Sequence, residues 1–129
     1  MVRLEQVTKV FHPGEVNEVT ALTRVSLTVD EGGFLVVLGG NGSGKSTLLN
    51  LVAGVFFPDA GGVYVGDNDL TVVPEYKRAA LIGRVFQDPL MGTSAGLTIE
   101  ENFALAALRG KSRGLGPALG HRRRQEIRD

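Results

Sequence analysis

Apolar and polar residues alternate roughly over residues 2–11 and again over 19–29, the period of two expected of half-exposed strands. Between them His12-Pro13-Gly14, followed by polar residues as far as Glu18, marks a turn. Phe34-Leu35-Val36-Val37-Leu38 is a continuous apolar run bounded by glycines, which predicts a strand buried on both faces. The period then changes. Over 45–53 Leu48 and Val52 lie one helical turn apart and Gly54 is placed as a C-terminal stop, so a helix is predicted there. A short strand at 63–65 leads into the polar turn Gly66-Asp67-Asn68, and Pro74 starts a helix through about residue 81. Residues 83–87 read as another strand. Thr98-Ile99-Glu100-Glu101 is a capping box opening a helix to about residue 108, with Ile99, Phe103 and Ala106 or Ala107 on one face. Glycines 110, 114, 116 and 120, with Pro117 among them, predict a linker before a last helix at 122–129.

Composition changes this picture in three places. The 129 residues, 43% of them hydrophobic, fit one domain, and the 18 glycines are roughly double the ordinary usage. The chain has no cysteine, which excludes disulfide scaffolds, thiolate metal sites and cysteine nucleophiles. Its formal charge is zero, yet acidic residues are in excess up to residue 108 and basic ones from 109 onward. Arg122-Arg123-Arg124 has no aromatic residue interleaved, so this tail reads as a solvated helix face and no nucleic acid is expected. Arg3, Glu5 and Lys9 interrupt any signal peptide, and no apolar run is long enough to span a bilayer. A soluble polypeptide is expected.

The chemistry concentrates in Gly39-Gly40-Asn41-Gly42-Ser43-Gly44-Lys45-Ser46-Thr47, which satisfies G-x-x-x-x-G-K-[ST]. Glycines let successive backbone N–H groups turn inward and approach phosphate oxygens, forming an anion nest at the positive end of the following helix. Lys45 supplies a mobile charge for the β- and γ-phosphates, the Ser46 hydroxyl can ligate Mg2+, and Thr47 can contact the α-phosphate. The predicted strand before the loop and helix after it supply the context such a motif requires.

The run from Asn41 to Leu49, together with Val85-Phe86-Gln87-Asp88-Pro89 some forty residues later, resembles the ATPase subunits of ABC transporters. That resemblance implies that Gln87 is the Q-loop residue, sensing the γ-phosphate through Mg2+ and the attacking water, a role its donor-and-acceptor amide suits. It also implies that Phe11, upstream of the loop, stacks on adenine, for which a flat π-face is sufficient. Phe11-His12-Pro13-Gly14-Glu15, Pro74-Glu75-Tyr76-Lys77-Arg78 and Thr98-Ile99-Glu100-Glu101-Asn102 are similar to a subgroup of importers associated with tryptophan, tyrosine or unassigned cargo.

The implied fold is α/β, a P-loop NTPase core sheet with flanking helices joined to an antiparallel β subdomain from 2–29 and 60–73. On this resemblance residues 1–129 are the N-terminal part of a single ABC ATPase nucleotide-binding domain, truncated before the signature and Walker B motifs. Neither an LSGGQ-like segment nor an apolar strand ending in Asp-Glu follows the Q-loop. Val25-Ser26-Leu27-Thr28-Val29-Asp30-Glu31 fits the second pattern superficially, but it alternates and precedes the P-loop, so it reads as a strand and turn. His12 and His121 receive no catalytic role. The expectation is weak binding of ATP with Mg2+, marginal stability, and turnover no higher than in a Lys45→Ala control.

In the complete protein the resemblance implies two such subunits sandwiching ATP on the cytoplasmic face of the inner membrane. They would dock transmembrane permease subunits along residues 87–98 and serve a substrate-binding protein indirectly. The implied function is import of a small solute such as an amino acid. Three alternatives stay open: a small P-loop kinase, against which Gln87-Asp88-Pro89 counts, a non-catalytic module that uses ATP only as a ligand, and an ABC repair-type ATPase, which rests only on the basic tail.

Overall fold

A computed structural model describes residues 1–109; the predicted linker at 110–120 and helix at 122–129 lie outside the described residues. The chain divides into two compact units, Met1–Arg78 and Ala79–Asp129.

The first unit is built on the two alternating segments. They form β1 (Val2–Phe11) and β2 (Val19–Val29), paired antiparallel, and β3 (Ala60–Val65) pairs on the other edge of β1 before turning into the two-residue β4 (Asn68–Asp69). The sheet order is β2-β1-β3-β4, which is the antiparallel subdomain expected from 2–29 and 60–73. Leu4 and Val7 of β1 stand three apart, so strict alternation breaks between them and the register shift there turns both to the core. Leu4, Val7, Leu22 of β2 and Val63 of β3 are buried. They pack with Leu48 and Leu51 of α1 (Lys45–Ala53) into one core. The β1–β2 ladder shifts register between Leu4 and Val7 and again around Lys9, and Gln6 and Arg24 take left-handed backbone conformations there. Ser26 Oγ accepts from the Gln6 N–H at 3.0 Å and Thr8 Oγ1 from the Arg24 N–H at 3.1 Å, so side chains replace the ladder bonds that bulges lose.

The far end of β1 is pinned by Asp59. Its carboxylate accepts from the Val10 N–H at 2.6 Å and from the Lys9 ammonium at 3.0 Å, while its own N–H donates to Thr8 O. The Val10 bond, aided by Lys9 and opposed by partial burial, holds the Asp59 carboxyl below the ordinary carboxylate value. A depressed folded value contributes stability that is fully present above the unfolded value and is lost as pH falls through the folded one. Acidification below roughly pH 4 is therefore expected to release this end of β1. Amide exchange at Val10 and Phe11, measured against pH, should rise faster than at Leu4, and Asp59→Asn should abolish the difference.

Several predicted elements differ. Residues 34–38 do not pair as a strand among the described residues; only Val37 packs against the core, and Phe34 and Leu38 are 91% and 86% exposed. A strand forms by pairing its N–H and C=O groups with at least one neighbouring strand, and the described residues supply none here. The helix from Pro74 is shorter than predicted, with α2 spanning only Glu75–Arg78.

In the second unit residues 83–87 likewise form no strand, and Val85 is 97% exposed. A 3-10 turn at Pro89–Gly92 follows, capped by Asp88. α3 (Ile99–Ala107) opens with the predicted capping box, in which Thr98 Oγ1 accepts from the Glu101 N–H at 3.3 Å and the Glu101 carboxylate accepts from the Thr98 N–H at 2.8 Å. Its buried residue is Ala104, whereas Ile99 and Phe103 of the predicted apolar face are 78% and 59% exposed. Among the described residues no helix is long and apolar enough to cross a membrane.

Candidate functional site

The loop at 39–44 enters α1 through Gly44, which stands at the N-cap with φ 85° and makes no side-chain capping bond. Two constraints select glycine there. The left-handed conformation costs an L-residue roughly 1–2 kcal/mol, and a Cβ would lie 2.7 Å from Ala21 O and 3.1 Å from Leu22 Cδ2 of β2. The cradle is thus pressed onto β2 without intervening side chain. With no side-chain cap, the first-turn N–H groups of α1 are open to water or a ligand, and the helix dipole there favours negative charge.

Lys45, half-buried at the first helical position, folds back over the loop. Its Nζ donates to Gly39 O at 2.7 Å, to Gly40 O at 2.6 Å and to Ser43 Oγ at 3.2 Å. Carbonyl oxygens carry only partial charge, so phosphate oxygens arriving in the loop compete for the same ammonium on favourable terms. Asn41, Gly42, Ser43 and Ser46 are exposed and Thr47 is half-buried. The Ser46 hydroxyl offers one hard oxygen, which fits Mg2+, an ion that takes few protein ligands and completes its shell with phosphates and water. Among the described residues no group of three His, Cys, Asp or Glu gathers to hold a metal by itself.

Phe11 closes β1 opposite Val19, and Lys9 two residues earlier pairs with Leu22, the residue against which Gly44 packs. At 3.4 Å per residue Phe11 lies about 7 Å along the strand from that point. Strand register therefore brings the aromatic ring and the cradle to the same end of the sheet. The ring meets Phe56 edge-to-face and Lys9 Nζ lies 5.5 Å from its centroid. Gln87 is exposed in the second unit, immediately before Asp88, whose Oδ1 accepts from the Leu90 N–H at 2.9 Å.

Sequence reasoning missed Arg78. It is fully buried, and its guanidinium donates to Leu51 O at 2.7 Å and Val52 O at 2.9 Å, carbonyls of the last turn of α1. Nε reaches Val73 O at 2.6 Å. A signal existed: α1 has no basic residue in its last turn, so its terminal carbonyls need a donor from elsewhere. The second unit holds a further feature, a groove of about 440 Å3 lined by Thr93, Leu97, Ile99, Asn102, Phe103 and Ala106 among others.

The family profile described as "ABC transporter" matches residues 22–129. Among curated proteins, the tyrosine transport ATP-binding protein of Clostridioides difficile is 37% identical over 124 residues, which cover 95% of this chain and 49% of that protein. Among solved structures, a dimeric bacterial ABC transporter cassette superposes with a TM-score of 0.76 at 32% identity, covering 97% of this chain and 53% of that one. The same cassette in a dimeric post-hydrolysis state bound to ADP and Pi gives a TM-score of 0.65 at 28% identity. The chain spans about half the length of these relatives.

Proposed function

The chain belongs to the ABC transporter family, and from that premise we propose that residues 39–47 bind the triphosphate of ATP as its Mg2+ complex. The observation that carries this reading is the loop itself. A left-handed Gly44 fixed against β2 sets uncapped N–H groups beside an ammonium already drawn over Gly39 and Gly40. Gly39, Asn41, Gly42, Ser43 and Gly44 supply the backbone cradle, Lys45 the mobile charge, Ser46 the Mg2+ ligand and Thr47 a contact to the α-phosphate. Phe11 stacks on the base. Mg2+, held by the Ser46 hydroxyl, would supply charge neutralisation at the phosphates.

As part of a whole subunit, residues 1–129 form the N-terminal portion of one nucleotide-binding domain. Gln87 there orients water near the γ-phosphate through its amide. ATP hydrolysis by that domain, suggested by the relative's ADP and Pi state, is coupled to movement of a small solute across the membrane. A second ATP-binding subunit completes the sandwich, as the dimeric cassette suggests. Transmembrane permease subunits dock along 87–98 at the cytoplasmic face of the membrane, a substrate-binding protein acts indirectly, and the groove between 92–97 and α3 adjoins that stretch. Import of an amino acid is favoured by the subgroup resemblance and by the tyrosine transport relative.

Calorimetric titration of the chain with ATP tests the reading. Saturable binding that requires Mg2+ for full affinity is expected. No heat at saturating ATP and Mg2+, from a folded sample, would remove its basis.

A further inference from the structure

We infer that Phe56 is a positioning residue for the nucleotide base, acting through Phe11; this rests on the proposal that the cradle binds ATP and that Phe11 stacks on adenine. A phenylalanine at the end of a strand, with His12 beyond it in a left-handed turn, has little of its own to fix its χ angles. Here the ring of Phe11 stands 5.2 Å from that of Phe56 with 79° between their planes, an edge-to-face arrangement that the ring quadrupoles favour. Phe56 in turn packs against the buried core of β1, β2, β3 and α1. The contact therefore ties an end-of-strand ring to the buried core of the unit.

The same contact ties the ring to the cradle. Val55 and Phe56 donate their N–H groups to Asn50 O at 2.9 and 3.4 Å, wrapping this segment onto the end of α1. One short helix thus carries the phosphate loop at its first residue and the buttress of the base platform just past its last. Lys9 adds a second constraint, with its ammonium 5.5 Å from the Phe11 centroid and itself held 3.0 Å from Asp59 Oδ1. The Phe11 ring nevertheless remains partly exposed, which leaves surface for a base. A ring ordered before the ligand arrives loses less freedom on stacking, so affinity gained through the base depends on Phe56 although Phe56 need not touch it. Phe57, the next residue, is exposed and serves as an internal control.

The test compares Mg·ATP with Mg·tripolyphosphate, which has the phosphates and no base. Phe56→Ala and the better-filling Phe56→Leu are each titrated with both ligands beside wild type, Phe11→Ala and Phe57→Ala. Thermal unfolding of each sample verifies that it is folded. Both Phe56 variants are expected to bind ATP roughly 3- to 10-fold more weakly, the range set by one ring–ring contact. Tripolyphosphate affinity should stay unchanged, and Phe57→Ala should match wild type with both ligands. A general loosening of the cradle would weaken both ligands alike, and that result overturns the inference, as does unaltered ATP binding in Phe56→Leu. If only Phe11→Ala loses ATP affinity, nucleotide binding stands and the role of Phe56 falls; if wild type binds neither ligand, both fall.

Discussion

Replacing Lys45 by Ala is expected to weaken Mg·ATP binding by about 100-fold while leaving the fold intact. The magnitude follows from losing charge-assisted bonds to two phosphate oxygens, each worth about 1.5 kcal/mol or more, against about 1.4 kcal/mol per tenfold change in affinity. The fold is spared for two reasons. Alanine is the best helix former, so the first turn of α1 keeps its propensity. The three groups that lose the ammonium, Gly39 O, Gly40 O and Ser43 Oγ, belong to exposed residues and pass to water. Titration calorimetry with thermal unfolding on the same sample separates the two effects. A variant that bound ATP as tightly as wild type would show that the ammonium is not engaged by phosphate.

Arg78→Met should do the opposite, unfolding the first unit at markedly lower urea. Methionine approximates the length of the side chain and removes every donor. Val52 O and Val73 O would then lose this donor, and Leu51 O would keep only the Gly54 N–H at 3.2 Å, around a side chain closed to solvent. An unsatisfied buried acceptor costs about 1–3 kcal/mol, so with two of them the expected loss is about 2 kcal/mol or more, a large share of the roughly 5–15 kcal/mol a domain has. Burial already pushes the Arg78 guanidinium down, with the charge of Asp69 opposing. Arg78→Lys should fall between, because one ammonium does not span the end of α1 and the Val73 carbonyl as the planar fork does. An unchanged urea midpoint in Arg78→Met would show that these bonds contribute nothing net.

Local signals in the chain were legible where they concern one strand or one helix. Alternation located β1 and β2, and the spacing of Leu48 and Val52 with Gly54 as the stop located α1, because burial on one face imprints itself on neighbouring residues. Of the motif at 39–47, the structure gathers Gly39, Gly40 and Ser43 around Lys45. What escaped depends on partners distant in sequence. An apolar run such as 34–38 announces that it can be buried, but pairing also requires strands beside it, and those are not among the described residues. The face of α3 failed similarly: periodicity marks Ile99 and Phe103 as able to pack, and the structure packs Ala104 instead. Arg78 was invisible because two of its acceptors, Leu51 O and Val52 O, lie more than twenty residues upstream, on a helix end whose need for a donor is apparent only once that end is buried.

Gly54 ends α1 with φ 85°, and a Cβ there would stand 2.6 Å from Arg78 Nε and 3.0 Å from the Glu75 backbone nitrogen. The dependence between the two positions is one-way. Any side chain acquired at 54 evicts the guanidinium and so exposes position 78 to loss. Shrinking the residue at 78 does not open 54, because the backbone angle and the Glu75 nitrogen still forbid a methyl. Over many generations of substitution, then, 54 would act as a gatekeeper of 78, and the arginine could wander only in lineages where the glycine had stayed.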